Sequence, residues 1–125
     1  MLANRKVFAT IPAGNLDRAR KWYADKLGLT PSAADQAGVR YDMGEGTGFL
    51  LYPTQNAGQA PNTLMTFQCD NVREDVAALR SKGVVFEDYD LPGLKTENGV
   101  ARLGNREAAW FRDSEDNILA LGSGG

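Results

Sequence analysis

The sequence predicts an α+β fold built from two βαβββ halves, on three observations. The stretch VFATIPAGNLDRARKWYADKLG, from Val7, is echoed by TLMTFQCDNVREDVAALRSKG, from Thr63. Phe8 matches Leu64, Thr10 matches Thr66, Asn15 matches Asn71 and Leu16 matches Val72, all at one constant offset. Helix start and stop signals fall at the same places in both copies. Three strand-like runs then follow each helix.

Each copy opens on a short apolar strand. In the first, Val7, Ala9 and Ile11 alternate with Phe8, Thr10 and Pro12. The period of two turns the first set toward a helix and leaves the second set on the opposite face. In the second copy Met65, Phe67 and Cys69 are the helix-side set, with Leu64, Thr66 and Gln68 opposite. Asn15 and Asn71 then suit the N-cap, where a side-chain oxygen accepts from free N–H groups of the first turn. Glu74, three residues after Asn71, completes a pattern like a capping box. Gly28 and Gly83 stand where a left-handed residue ends a helix. Between these signals Leu16, Ala19, Tyr23 and Leu27, and likewise Val72, Val76 and Leu79, give each helix one apolar stripe.

The later strands of the first half are Ser32 to Asp35, VRYDM and GFLLY, with GEGTG (44–48) as a hairpin turn. Those of the second half are VVFEDYD, EAAWFR and NILAL. PTQNAGQAPNT (53–63) has the composition of a connector. LPGLKTENGVARLGN (91–105) reads as a loop of the length that lids, binding loops and merely mobile segments have. The expected organisation is one domain over 1–125, with modules at about 5–54 and 63–123 and a linker at about 55–62.

Composition excludes several functions. The chain has 125 residues, a formal net charge of −2 and no histidine. Ser-His-Asp and Cys-His catalysis are therefore impossible, and the commonest metal ligand and general base is missing. The charge balance gives no electrostatic reason to bind nucleic acid. No basic amphipathic stretch suggests a membrane surface, and no segment nears the roughly 18 apolar residues of a spanning helix. MLANRKV has no apolar signal region. One cysteine excludes an intrachain disulfide, so a cytoplasmic location is expected. Cys69 lies on the helix-side face, as a buried inert thiol does. Trp22 and Tyr23 read as core.

The strand-Asn-helix-Gly repeat and the hairpin FRDSEDNILAL (111–121) resemble the vicinal oxygen chelate superfamily. That group includes glyoxalase I, extradiol dioxygenases, and fosfomycin- and bleomycin-resistance proteins. The hairpin usually carries Pro and Gly where this chain has Ser114 and Asp116; Asp tolerates a left-handed turn position better than most residues. The resemblance implies curled sheets forming a cup, helices on the convex side, and pairing as a homodimer. It also implies that Ala108, Trp110, Ile118 and Ala120 face the cup, with Phe111, Leu119 and Leu121 packed outward under the helices. In metal-dependent members the ion is held from the first and last strand of each module by His or Gln and by Glu. Carried over, those positions are Phe8, Leu64, Leu50 (Leu51 if the register shifts by one) and Ala120. None offers an oxygen or nitrogen, so the expectation is a site with no metal and no cofactor.

The implied concave surface carries Phe8, Thr10, Leu50, Leu64, Thr66, Ala108, Trp110 and Ala120. It is apolar and aromatic with two hydroxyls, the usual make-up of a small-molecule site. The leading expectation is a metal-free binding protein for an apolar or aromatic molecule. Bleomycin itself fits poorly, because proteins that hold it present a strongly acidic groove. Two alternatives stand beside it. One is a glyoxalase-like isomerase or lyase with Asp42 or Glu97 as base; the other is a dimeric module whose bowl is filled by its own side chains. Arg40, Asp42, Glu45, Glu97 and Arg102 are either pocket-rim charges or simply solvated.

Overall fold

A computed structural model of the chain describes residues 1–124. The first half contains β1 (Ala9–Ala13), α1 (Leu16–Leu27), β2 (Ala33–Asp35), β3 (Gly38–Asp42) and β4 (Gly48–Pro53). The second contains β5 (Thr63–Gln68), α2 (Val72–Ser81), β6 (Asp90–Leu91), β7 (Leu94–Glu97), β8 (Val100–Leu103), β9 (Arg106–Arg112) and β10 (Ile118–Gly122). They form two sheets, ordered β1-β4-β3-β2 and β5-β10-β9-β8-β7-β6. In both, the first strand joins the last strand of its half in parallel, β1 to β4 and β5 to β10. The sequence repeat is thus a repeat of wiring, and the fold is the α+β one expected.

The helices begin and end as the sequence implies. Asn15 accepts from the Arg18 N–H at 2.9 Å and Asn71 from the Glu74 N–H at 3.2 Å. Gly28 closes α1 in the left-handed region at φ 70°, which a residue without Cβ adopts at little cost. Ala19 and Tyr23 on α1, and Val72 and Val76 on α2, are buried. They meet Ile11, Phe49, Leu51, Phe111 and Leu119 in one core. Trp22 of α1 stacks on Phe111 of β9 with ring centroids 6.3 Å apart, and Lys26 Nζ donates to the Lys82 carbonyl at 2.7 Å. The helix-bearing faces of the two sheets therefore look toward each other, and the opposite faces look outward.

The segment 113–117 fastens the halves together. Asp113 accepts from the Tyr23 hydroxyl at 2.7 Å and from the side chain and N–H of Asn117, each at 2.9 Å. Asn117 donates in turn to the Pro12 carbonyl at 2.7 Å. Glu115 accepts from the Asn15 N–H at 2.8 Å and from Arg18 Nε at 2.9 Å. It occupies the place of the N3 carboxylate that α1 lacks, completing from the far end of the chain a capping box that is local in other helices. Asp116 sits in the turn at φ 64°, the left-handed position expected of it.

Three expectations need correction. Val7 precedes β1 and is 82% exposed, so it packs under no helix. VVFEDYD forms no full strand: Phe86 makes a single bridge to Phe111, and only Asp90 enters β6. The stretch 91–105 is not a loop but carries β7 and β8. Asn98 and Gly99 join them with φ of 53° and 79°, the pair of left-handed residues that a tight type I′ hairpin requires. Thr96 on β7 is buried and locks the hairpin, its hydroxyl donating to Asp88 at 2.8 Å.

Candidate functional site

The outward face of the first sheet is built around β4. Thr10 on β1 and Arg40 on β3 both lie beside Leu50, so the three side chains share one face. Phe49 and Leu51 alternate inward to the core, which fixes the register at Leu50 rather than Leu51. Phe8 stands just before β1, 43% exposed, with the Arg40 guanidinium 4.7 Å from its ring centroid. Asp42, two residues along β3, shares this face. Its Oδ1 is 3.5 Å from Arg40 Nε, and its side chain is 66% exposed.

The outward face of the second sheet is built around Trp110. Trp110 lies opposite Ala120, and Ala108 lies opposite Gly122 and Ala101. Thr66 lies beside Ala120 on the other flank and is exposed. The indole Nε1–H donates to Thr63 Oγ1 at 3.2 Å, and the Tyr89 ring meets the indole edge-on with centroids 5.5 Å apart. The indole is thereby fixed from two sides while remaining half-buried. Ala120, buried, and Ile118 form the floor beneath.

Leu64 is placed differently from its repeat partner Phe8. The pairing of β5 with β10 shifts between Ile118 and Leu119, so that Thr63 pairs Ile118 and Met65 pairs Leu119. Leu64 is the extra residue of this bulge and packs partly against the core. The bulge brings Thr63 onto the face of Trp110, a position that strict alternation hides. Tyr89 escapes sequence reading for a related reason: it sits in a run that reads as strand but forms no ladder.

The structure thus gathers Phe8, Thr10 and Leu50 on one outward face and Thr66, Ala108, Trp110 and Ala120 on the other. Among the described residues no strand of the first sheet pairs with one of the second. Among the remaining charges, Glu97 ends β7 at the hairpin tip, Glu45 lies in the β3–β4 turn and Arg102 lies on β8, all exposed. Cys69 lines a crevice of about 280 Å³ on the helix side, with Leu27, Leu29, Met43, Phe67 and Leu79. Burial and the neighbouring Asp75 push its thiol up to about 12, so it is no thiolate near neutral pH.

The buried polar groups serve the fold. Burial raises the Asp113 carboxyl against the opposing effect of its hydrogen bonds from Tyr23 and Asn117. Burial and the facing Asp113 raise the Tyr23 phenol. Both side chains are hydrogen-bonded to each other, inside the core and away from either outward face.

The donor set does not fit a divalent ion at the places the resemblance indicates. Phe8, Leu50, Leu64 and Ala120 carry no donor atoms, and Ala120 lies under the indole. Among the described residues no three His, Cys, Asp or Glu side chains lie close enough together to hold a metal. No helix of the described residues is long and apolar enough to cross a membrane.

This wiring, with paired parallel first and last strands in each half, defines a protein of the glyoxalase type. Residues 7–90 match the model of the Glyoxalase/Bleomycin resistance protein/Dioxygenase superfamily, and the chain belongs to that family. Among solved structures it is similar to UcmS2, with a TM-score of 0.74 at 19% identity over 94% of this chain and 96% of that one. It is similar to TnmS3, an antibiotic binding protein from Streptomyces sp. CB03234, with a TM-score of 0.69 at 19% identity over 100% and 99% of the two chains. A genomically encoded fosfomycin resistance protein, FosX, from Listeria monocytogenes gives 0.69 at 12% identity, over 98% and 94%. At these identities the likeness is one of fold. No curated protein matches the chain.

Proposed function

We propose that the protein is a metal-free, homodimeric binding protein that holds an apolar or aromatic small molecule in a cup lined by its outward sheet faces. The observation that carries this reading is Trp110: an indole with its N–H already bound to Thr63, steadied by Tyr89 and laid over small residues. A fixed aromatic plane above Ala120 offers a stacking surface, and aromatic pairs contribute about 0.5–1.5 kcal/mol beyond their buried area. The exposed hydroxyls of Thr10 and Thr66 supply polar points within an apolar lining. That one neighbour of this fold is an antibiotic binding protein supports binding as a use of the cup.

Each outward face is half a cup. The two halves of one chain turn their helix-bearing faces toward each other, so their outward faces diverge. A second copy placed by a two-fold axis sets the first-sheet face of one chain against the second-sheet face of the other, twice over. Phe8, Thr10 and Leu50 then come from one chain, and Thr66, Ala108, Trp110 and Ala120 from its partner.

A screen of aromatic compounds by calorimetry tests the reading. Binding saturates, is unchanged by a metal chelator, and is lost in Trp110→Ala. Full affinity in that variant, or binding that disappears with chelator, would refute it.

A further inference from the structure

The structure assigns Arg40 as an anion anchor in this cup, so that the ligand class narrows to aromatic molecules bearing a carboxylate or a comparable oxyanion. This rests on the cup reading above and adds a charge requirement to it.

Arg40 lies in the middle of its strand, flanked by Ala33 on β2 and Leu50 on β4. An arginine among apolar neighbours on a sheet face needs a reason. Its guanidinium is held 4.7 Å from the Phe8 ring centroid, a cation–π placement that fixes the group in position. Nε is buried and hydrogen-bonds to no group of the described residues. Asp42 forms a long ion pair with it, Oδ1 3.5 Å from Nε and without a hydrogen bond, and 66% of that side chain is exposed. Asp35, paired opposite Gly38, is turned to the Ala37 N–H at 2.8 Å. On the second-sheet face Arg112 is already committed, to Glu87 at 2.9 Å and to the Asp116 carbonyl at 3.3 Å.

Arg40 is thus positioned by Phe8 and only loosely paired, with 44% of its side chain open to solvent. Its planar fork suits the two oxygens of a carboxylate, and a charge-assisted pair beside apolar walls is stronger than the same pair in open water. The aromatic part of the ligand would stack on Trp110 while the anion reaches Arg40. Asp42 competes for the guanidinium and so weakens the anchor.

Calorimetry with naphthalene-2-carboxylate and its neutral analogue naphthalene-2-carboxamide separates this inference from the cup reading. Wild-type protein binds both, the carboxylate about tenfold more tightly. Arg40→Gln abolishes the preference, whereas Asp42→Asn widens it severalfold. Arg40→Lys, which keeps the charge but not the fork, retains part of it. Equal affinities in wild type, or a preference indifferent to both Arg40→Gln and Asp42→Asn, would overturn the anchor while leaving the cup intact. Failure of both probes to bind wild type would overturn cup and anchor together.

Discussion

Glu115 shows how much one side chain holds in this molecule. Its side chain is fully buried while Arg18 opposite is 57% exposed, so the carboxylate depends on its hydrogen bonds for solvation. Burial by itself would raise its pKa, but Arg18, Ser114 and the Asn15 N–H together hold it below the ordinary glutamate value. A carboxyl depressed in the folded state contributes stability above its unfolded pKa and loses it as pH falls through the folded one. Glu115→Gln, with one acceptor oxygen instead of two, is expected to cost about 1–3 kcal/mol at neutral pH. In urea melts of both proteins across pH, that gap holds down to the ordinary glutamate value and closes below it. The raised Asp113 carboxyl works in the opposite sense but is common to both proteins, so it cancels in the comparison. A gap that stays constant to roughly pH 2 would contradict the assignment.

At the scale of elements, the hairpin β7–β8 is the instructive case. Its turn, Asn98–Gly99, carries the strongest short hairpin signal a sequence offers. The runs around it hide that signal: in Leu94–Glu97 the buried residue is the polar Thr96, and Val100–Leu103 lacks alternation because Val100 and Ala101 are both buried. The helices were legible for the converse reason, since caps, stripe and terminal glycine all agree. A Cβ on Gly99 would come within 2.9 Å of both Arg80 Nη2 and Phe86 Cβ, at a φ that L-residues adopt at a cost of about 1–2 kcal/mol. Gly99→Ala therefore lowers the unfolding free energy by at least that cost, read as a lower urea midpoint, without altering either outward face. A midpoint equal to wild type would mean that the hairpin is not part of the cooperative unit.

For the molecule as a whole, the repeat made the architecture readable because both halves share wiring, caps and face alternation. The proposed site is only partly readable. Leu50, Thr10 and Trp110 follow from strand register, but Thr63 needs the bulge at Leu64, and Tyr89 needs the run around Phe86 to make one bridge and no ladder. Nor does one sequence reveal that the two outward faces diverge, because that follows from how α1 and α2 share a single core. On the proposed reading, the ligand cup is then divided between two chains.

Complementation tests that division most directly. Leu50→Asp spoils the first-sheet face and Trp110→Ala the second, so neither variant binds aromatic ligand as a homodimer. Co-expressed, their heterodimer has one cup carrying both lesions and one cup free of either. With random pairing, about a quarter of wild-type binding capacity returns. If the mixture binds no more than either variant alone, each cup lies within one chain or does not exist, and the account is wrong.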